Sequence, residues 1–275
     1  MKPVRDIVPG RALSLGITMT ILALAILIPL ASVVLTLQGM TPQSFLGVIL
    51  APRTLAAFRL TFGASLVAAI LDLFMGSFLA WVLVRRRFPG HALMEALIDV
   101  PFALPTAISG VTLATLYGAN GWAGSVLERA GIHVAYTPLG IALALTFIGL
   151  PFVVRTVQPV LAEMPPELDE ASALLGAGPF MRFTRVSLPL LVPAMLTGFS
   201  LAFARALGEY GSVIFIAGNM PGRTEIVPLV ILTHLEEFDY QSAAAIAVMM
   251  LVVSFAMLFV INTLQRSITR ARTAL

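Results

Sequence analysis

Six stretches of this chain are too long and too apolar to remain in water. The first is an uncharged run from Leu13 to Leu37, longer than the roughly 20 residues that cross a bilayer. The others run from about Leu60 to Val84, Leu97 to Tyr117, Leu139 to Val157, Leu190 to Ala217 and Ala243 to Leu264. In hydrocarbon every backbone polar group must find its partner within the protein, and a single apolar segment does so only as a helix. The expected fold class is therefore an all-α integral membrane protein with six transmembrane helices. A cleaved signal peptide has a shorter apolar core and a small-residue cleavage site, so the first run reads as a retained span that Pro29 can kink. No short internal repeat and no separate soluble domain is visible, and residues 1–275 read as one transmembrane domain.

Six spans place both termini on one side, and the basic residues say which. Lys2, Arg5, Arg11, Arg85, Arg86, Arg87, Arg155, Arg182, Arg185, Arg266, Arg270 and Arg272 fall on the side that holds the termini. Arg53, Arg59, Arg129 and Arg223 fall on the other, and Arg205 lies within a span. The positive-inside rule assigns the richer side to the cytoplasm.

Composition removes several kinds of chemistry. Charged residues make up 11% of the chain and apolar residues 59%, with mean hydropathy +0.96; soluble domains carry about 25% charged residues. The net charge of +3 does not argue for nucleic acid, because the arginines lie mostly beside apolar spans. There is no cysteine, so disulfides, thiolate catalysis and cysteine metal sites are excluded. The only lysine is Lys2, which rules out a phosphate-binding Gly-x-x-x-x-Gly-Lys loop and a Schiff base within the membrane. If ATP drives this protein, another chain must bind it. His91, His133 and His234 are all assigned to loops, which leaves an embedded nucleophile–base pair without support. No catalytic residue, metal ligand or cofactor is expected in this chain.

The polar exception is Glu163 to Pro189. Pro165 and Pro166 can open a helix, since proline in the first turn sacrifices no internal hydrogen bond. Glu167, Asp169 and Glu170 then sit where the helix dipole favours carboxylates, and Ala171, Leu174 and Leu175 form a small apolar face. Gly176, Gly178 and Pro179 end the helix. A second helical piece carries Arg182 and Arg185 to Leu188 and Pro189. The order Glu170-Ala171-Ser172, Gly176, Val186, Leu188-Pro189 resembles the loop shared by membrane subunits of ABC importers. In that pattern alanine and isoleucine stand where this chain has Ser172 and Val186. The resemblance implies a cytoplasmic coupling loop at residues 158–189, whose helix docks into a cleft of an ATP-hydrolysing subunit. Glu170, Ala171, Ser172, Gly176, Leu188 and Pro189 are the candidate coupling residues. The residues alone also fit an amphipathic helix lying on the membrane surface.

Other stretches extend the likeness over nearly the whole chain: Arg87 to Gly90, Asp99 to Gly110, Pro151 to Pro159, Arg205 to Asn219 and Glu237 to Tyr240. These are similar to the T-type permeases of sulfate/thiosulfate importers, within an oxyanion branch that also includes molybdate permeases. The resemblance implies a bacterial inner-membrane permease with both termini cytoplasmic. It implies pairing with a homologous W-type permease, two copies of an ATPase that use ATP and magnesium, and a periplasmic sulfate/thiosulfate-binding protein. The alternatives are another oxyanion as substrate or, in a different class, an autonomous channel or an intramembrane enzyme.

Four residues form the candidate substrate pathway. Arg205 and Glu209 are one helical turn apart on one face, and charges at this depth face a cavity or a partner. Arg205 can attract an anion while Glu209 holds it in place; alternatively the two form a structural ion pair that ties span five to a neighbour. Pro101 and Pro105 interrupt span three, and Thr106 and Ser109 follow with hydroxyls suited to transient contact with an oxyanion. Those hydroxyls can equally bond their own backbone. Asp72 and Asp99 are expected to be paired or near an interface, and Glu95 to lie at the cytoplasmic boundary. Gly198, Ala202, Gly208 and Gly211 are expected to permit close helix packing.

The topology is testable by reporter fusion. Fusions after Arg87 and within Glu163 to Arg185 are expected to read cytoplasmic, and those near Gly121 and Glu225 external. An external signal from the Glu163 to Arg185 loop overturns both the topology and the docking reading.

Overall fold

The computed structural model describes residues 11–273, with side chains from residue 13 to residue 265. Lys2 and Arg5 lie outside the described residues, as do the side chains of Arg11, Arg266, Arg270 and Arg272. The regular elements are helices: α1 (Arg11–Leu35), α2 (Pro42–Ile49), α3 (Pro52–Arg85), α4 (His91–Ala103), α5 (Thr106–Tyr117), α6 (Trp122–Arg129) and α7 (Pro138–Glu163). There follow α8 (Pro166–Leu174), α9 (Pro179–Arg182), a wide turn at Phe183–Ser187, α10 (Leu188–Leu207), α11 (Gly211–Ala217), α12 (Val227–Glu236) and α13 (Tyr240–Thr273). Prolines open several of them without loss, because the first N–H groups of a helix have no partner inside it. Two also carry hydroxyl caps: Thr41 accepts from the Ser44 N–H at 3.2 Å and Thr137 from the Gly140 N–H at 3.5 Å.

Among the described residues, five helices are long and apolar enough to cross a membrane, and the pair α4 and α5 makes a sixth if counted as one span. That pair is interrupted as its prolines predict, and its two helices meet at a bend of 115°. The cause is Pro105. A residue before proline is driven out of the helical region, and Leu104 adopts φ −88°, ψ 136°. Pro101, also expected to interrupt this span, is accommodated inside α4. The pair still travels the length of α7 in the opposite direction. Glu95 and Asp99 bond Gln158 and Arg155 near one end of α7, and Leu113 packs with Ala144 toward the other.

The fifth span is also broken, at Gly208 to Tyr210 between α10 and α11. The polar stretch before the sixth span, expected as loop, contains the ten-residue helix α12, and His234 lies on it. His91 is the first residue of α4 rather than part of a loop. The apolar run Val227 to Leu232 within a polar neighbourhood was the available signal for α12.

The core is built around α7. About 61% of its most apolar window is buried inside the chain, against 33% for α3 and α10, 17% for α13 and none for α1. Val153 at its middle is fully buried and is approached by a glycine from each side. A Cβ on Gly76 of α3 would lie 2.8 Å from the Val153 Cβ, and one on Gly198 of α10 would lie 2.9 Å from the Val153 Cα. Without a hydrophobic drive between helices in lipid, such close approach supplies the packing energy. Gly198 thus fits the packing role expected of it.

Substitution at Gly76 tests this frame. Gly76→Leu is expected to cost about 1–3 kcal/mol by overpacking and to lower the thermal midpoint of the purified protein. Gly63→Leu is the control, since nothing lies within 4 Å of a Cβ there. Equal midpoints for the two variants would show that Gly76 is not a close-packing point.

Candidate functional site

The two broken spans meet. A Cβ on Gly211, at the start of α11, would collide with the Thr106 hydroxyl and press on the Ala107 N–H at 3.3 Å. One turn along α5, a Cβ on Gly110 would run into the backbone of Ser212. The Ser212 N–H and hydroxyl donate to Glu209 Oε1 at 2.8 and 2.9 Å. Glu209 Oε2 pairs with Arg205 Nη1 at 2.6 Å. Thr106, Arg205 and Glu209 are thereby joined through one continuous set of contacts, and Ser109 lies on the turn of α5 that carries Gly110.

The electrostatics follow from burial. The Glu209 carboxylate is 2% exposed, while the Arg205 side chain is 31% exposed. A buried carboxylate requires a cation or several donors, and here Arg205 and both donors of Ser212 answer it. The carboxylate also sits at the N-terminal end of α11, where the helix dipole favours negative charge. The pair lies within one broken span rather than tying that span to a neighbour. Arg205 keeps part of its guanidinium accessible. Ser109 is buried, and its hydroxyl is one of the few buried polar atoms without a hydrogen-bond partner among the described residues. Pro105 leaves the first turn of α5 without a side-chain cap. Of these groups the Arg205 guanidinium is the accessible one, whereas the Ser109 hydroxyl is closed off by burial.

Residues outside this cluster clamp other elements of the bundle. Asp99 is paired, as expected, and receives Arg155 through two guanidinium nitrogens, with Nε–Oδ1 at 3.0 Å. Arg155 also donates to Gln158, whose amide donates to Glu95 at 2.9 Å. At the opposite end Arg53 holds Glu225 in a two-pronged pair at 2.8 and 2.6 Å, with the Glu225 side chain fully buried. Sequence reading left Arg53 and Glu225 unmatched, because 172 residues separate them and neither carries a motif. Asp72 departs from the expectation of a paired or interfacial carboxylate. It is 1% exposed, has no hydrogen-bond partner among the described residues, and faces Gly149, where a Cβ would collide with it.

The loop between the fourth and fifth spans forms a separate surface. α8 begins at Pro166 and carries Glu167 and Asp169 in its first turn. It ends in a 6→1 and 5→2 pair of hydrogen bonds, from Ala177 N–H to Ser172 O at 3.1 Å and from Gly176 N–H to Ala173 O at 2.9 Å. Gly176 supplies the left-handed residue this ending needs, at φ 81°. Glu170 and Ala171 are exposed and Ser172 is half-exposed. Beside them Leu174, Leu175 and Phe180 are 90%, 88% and 80% exposed. Leu188 and Pro189 begin α10. Pro189 lacks an N–H and crowds the carbonyl four residues back; the turn before it widens, and the Leu188 N–H reaches Phe183 O instead.

Comparison with known proteins places this arrangement. Residues 72–273 match the family described as the binding-protein-dependent transport system inner membrane component. The chain is 48% identical over 261 residues to the sulfate transport system permease protein CysT of Salmonella typhimurium, covering 95% of this chain and 94% of that one. It is 43% identical to the probable sulfate transport system permease protein cysT of Nephroselmis olivacea, covering 92% and 89%. A chain from the crystal structure of a bacterial ABC transporter that imports the acidic polysaccharide alginate shares the fold, with TM-score 0.77, 16% identity and coverage of 94% and 96%. This chain belongs to the family of inner-membrane components of binding-protein-dependent transport systems.

Proposed function

We propose that this chain is the T-type permease subunit of an ATP-driven importer for sulfate or thiosulfate. The observation that carries the reading is its 48% identity, along 95% of its length, to a protein named as a sulfate transport permease. Its membrane partner would be a homologous W-type permease. Two copies of an ATPase would bind ATP and magnesium below the bilayer, and a periplasmic binding protein would deliver the anion above it. Both termini would lie in the cytoplasm. Molybdate or another oxyanion is the substrate alternative; an autonomous channel or an intramembrane enzyme is the alternative outside this class.

The proposed work is divided between two places. The exposed face of α8 and Phe180 enters a groove of the ATPase, as an amphipathic helix enters a partner cleft. Glu170 offers an acceptor at its rim. ATP-driven closure then moves α8 and α9, and with them α10. At the far end of α10, Arg205 meets the anion. Glu209 holds one side of the guanidinium, which weakens its grip on a doubly charged substrate and permits release. The coupling is between distant sites linked by two discrete arrangements.

The direct test is anion-stimulated ATP hydrolysis by the assembled transporter with its binding protein. Sulfate or thiosulfate is expected to stimulate it, and stimulation by molybdate alone moves the substrate assignment within the branch. Hydrolysis-independent uptake would support the channel alternative.

Two variants probe the residue roles. Arg205→Ala is expected to impair uptake by at least about tenfold, from loss of a charge-assisted contact, and to destabilise the complex by about 3 kcal/mol by leaving Glu209 without its cation. The double variant Arg205→Gln with Glu209→Gln removes both charges; it is expected to recover assembly without recovering uptake. Recovery of both assigns the pair a structural role only.

Gly176→Asp places a side chain at a left-handed φ. It is expected to leave membrane abundance unchanged, abolish uptake, and weaken ATPase pull-down or uncouple hydrolysis from the loaded binding protein. Normal uptake with normal stimulated hydrolysis shows that this loop does not transmit.

A further inference from the structure

A second concentration of positive charge lies where α3 ends beside α9. The apolar helix stops at Arg85, and Arg86 turns into extended backbone at φ −125°, ψ 128°. The Arg86 guanidinium lies 5.9 Å from the ring centre of Trp81, one turn back on the same helix. From the other side Arg182 donates Nη1 to Asp169 at 3.1 Å, joining α9 to α8. The Arg182 Nε is buried and has no hydrogen-bond partner among the described residues. Between these groups is a cavity of about 320 Å³, whose lining includes Trp81, Arg85, Arg86, Asp169, Arg182 and Phe183.

We propose that this cavity binds a phosphate-type oxyanion, carried on the headgroup of an acidic phospholipid. The lining holds three arginines and one carboxylate, so the cavity carries a net positive charge. The Arg182 Nε–H needs an acceptor, since buried donors are rarely left unpaired. Guanidinium forks match the tetrahedral oxygens of a phosphate. The depth fits a lipid: tryptophan settles at the headgroup level, and terminal arginines attract the anionic leaflet on the cytoplasmic side. Trp81 and Phe183 supply apolar walls for the glycerol. Free sulfate or phosphate shares this chemistry. A bound headgroup would bridge α3 to α9 and steady the loop that carries α8. The site does not depend on the proposed transport pathway.

The test uses the assembled transporter in nanodiscs of phosphatidylcholine with phosphatidylglycerol, followed by native mass spectrometry. Wild type is expected to retain phosphatidylglycerol in preference to phosphatidylcholine. Arg86→Gln and Arg182→Gln are each expected to weaken retention by about tenfold, the loss of one charge-assisted hydrogen bond, and Arg182→Lys to recover part of it. If Arg182→Gln fails to assemble, Arg86→Gln, which alters only the exposed end of α3, carries the test. Displacement of the lipid by inorganic sulfate or phosphate supports the oxyanion site and identifies the free anion as a second occupant. Equal retention of both lipids by wild type, or unchanged retention in both glutamine variants, overturns the proposal.

Discussion

The contact on which the membrane core depends is the one between Thr106 and Gly211, where two interrupted helices abut. An interruption in a lipid-embedded helix releases backbone groups that hydrocarbon cannot satisfy. Placing one break against another brings the freed polar groups of both within reach of protein partners, with Glu209 and Ser212 buried between them. Glycine at residue 211 leaves room for the Thr106 hydroxyl, and glycine at residue 110 lets α5 lie directly on the Ser212 backbone. Either side chain added there would push the two breaks apart. The same contact gathers the chemistry, because Glu209 can be buried only where Ser212 and Arg205 are both within reach.

Around that contact the long helices are tied at both ends. Arg155 with Asp99 fixes α4 to α7, and Arg53 with Glu225 fixes the start of α3 to the segment before α12. Val153, enclosed by Gly76 and Gly198, fixes the middle. Helices joined in this way resist bending individually. By contrast α1 buries none of its apolar window against the rest of the chain.

Much of this was legible from the residues. Five of the six spans are single long helices or begin as one, because apolar length alone dictates them. The end of α8 was legible from Gly176 and Gly178, and of the two Gly176 takes the left-handed conformation. The 115° bend was only half legible. Pro101 and Pro105 both signalled interruption, but proline inside a helix is tolerated when its surroundings absorb the lost bond, and sequence does not say which of two will yield. The break at Gly208 to Tyr210 was hidden by apolar flanks of the same character on both sides. Arg205 and Glu209 were found by helical spacing, whereas Arg53 and Glu225 were not, since their pairing is set by tertiary distance alone. The unpartnered burial of Asp72 likewise has no local signal; we have no physical account of what offsets it.

The wide turn before Pro189 has a mechanical consequence. From Pro179 to Leu207 the helical path runs for 29 residues, about 43 Å at the usual rise. One end stands beside the exposed leucines of α8 and the other carries Arg205. A rod of that length is a lever arm: a tilt of about 4° at the loop swings the distal end by about 3 Å, roughly the length of a hydrogen bond. The widened turn sits near the loop end of that arm, so a tilt applied beyond it reaches Arg205 only as far as that turn is stiff.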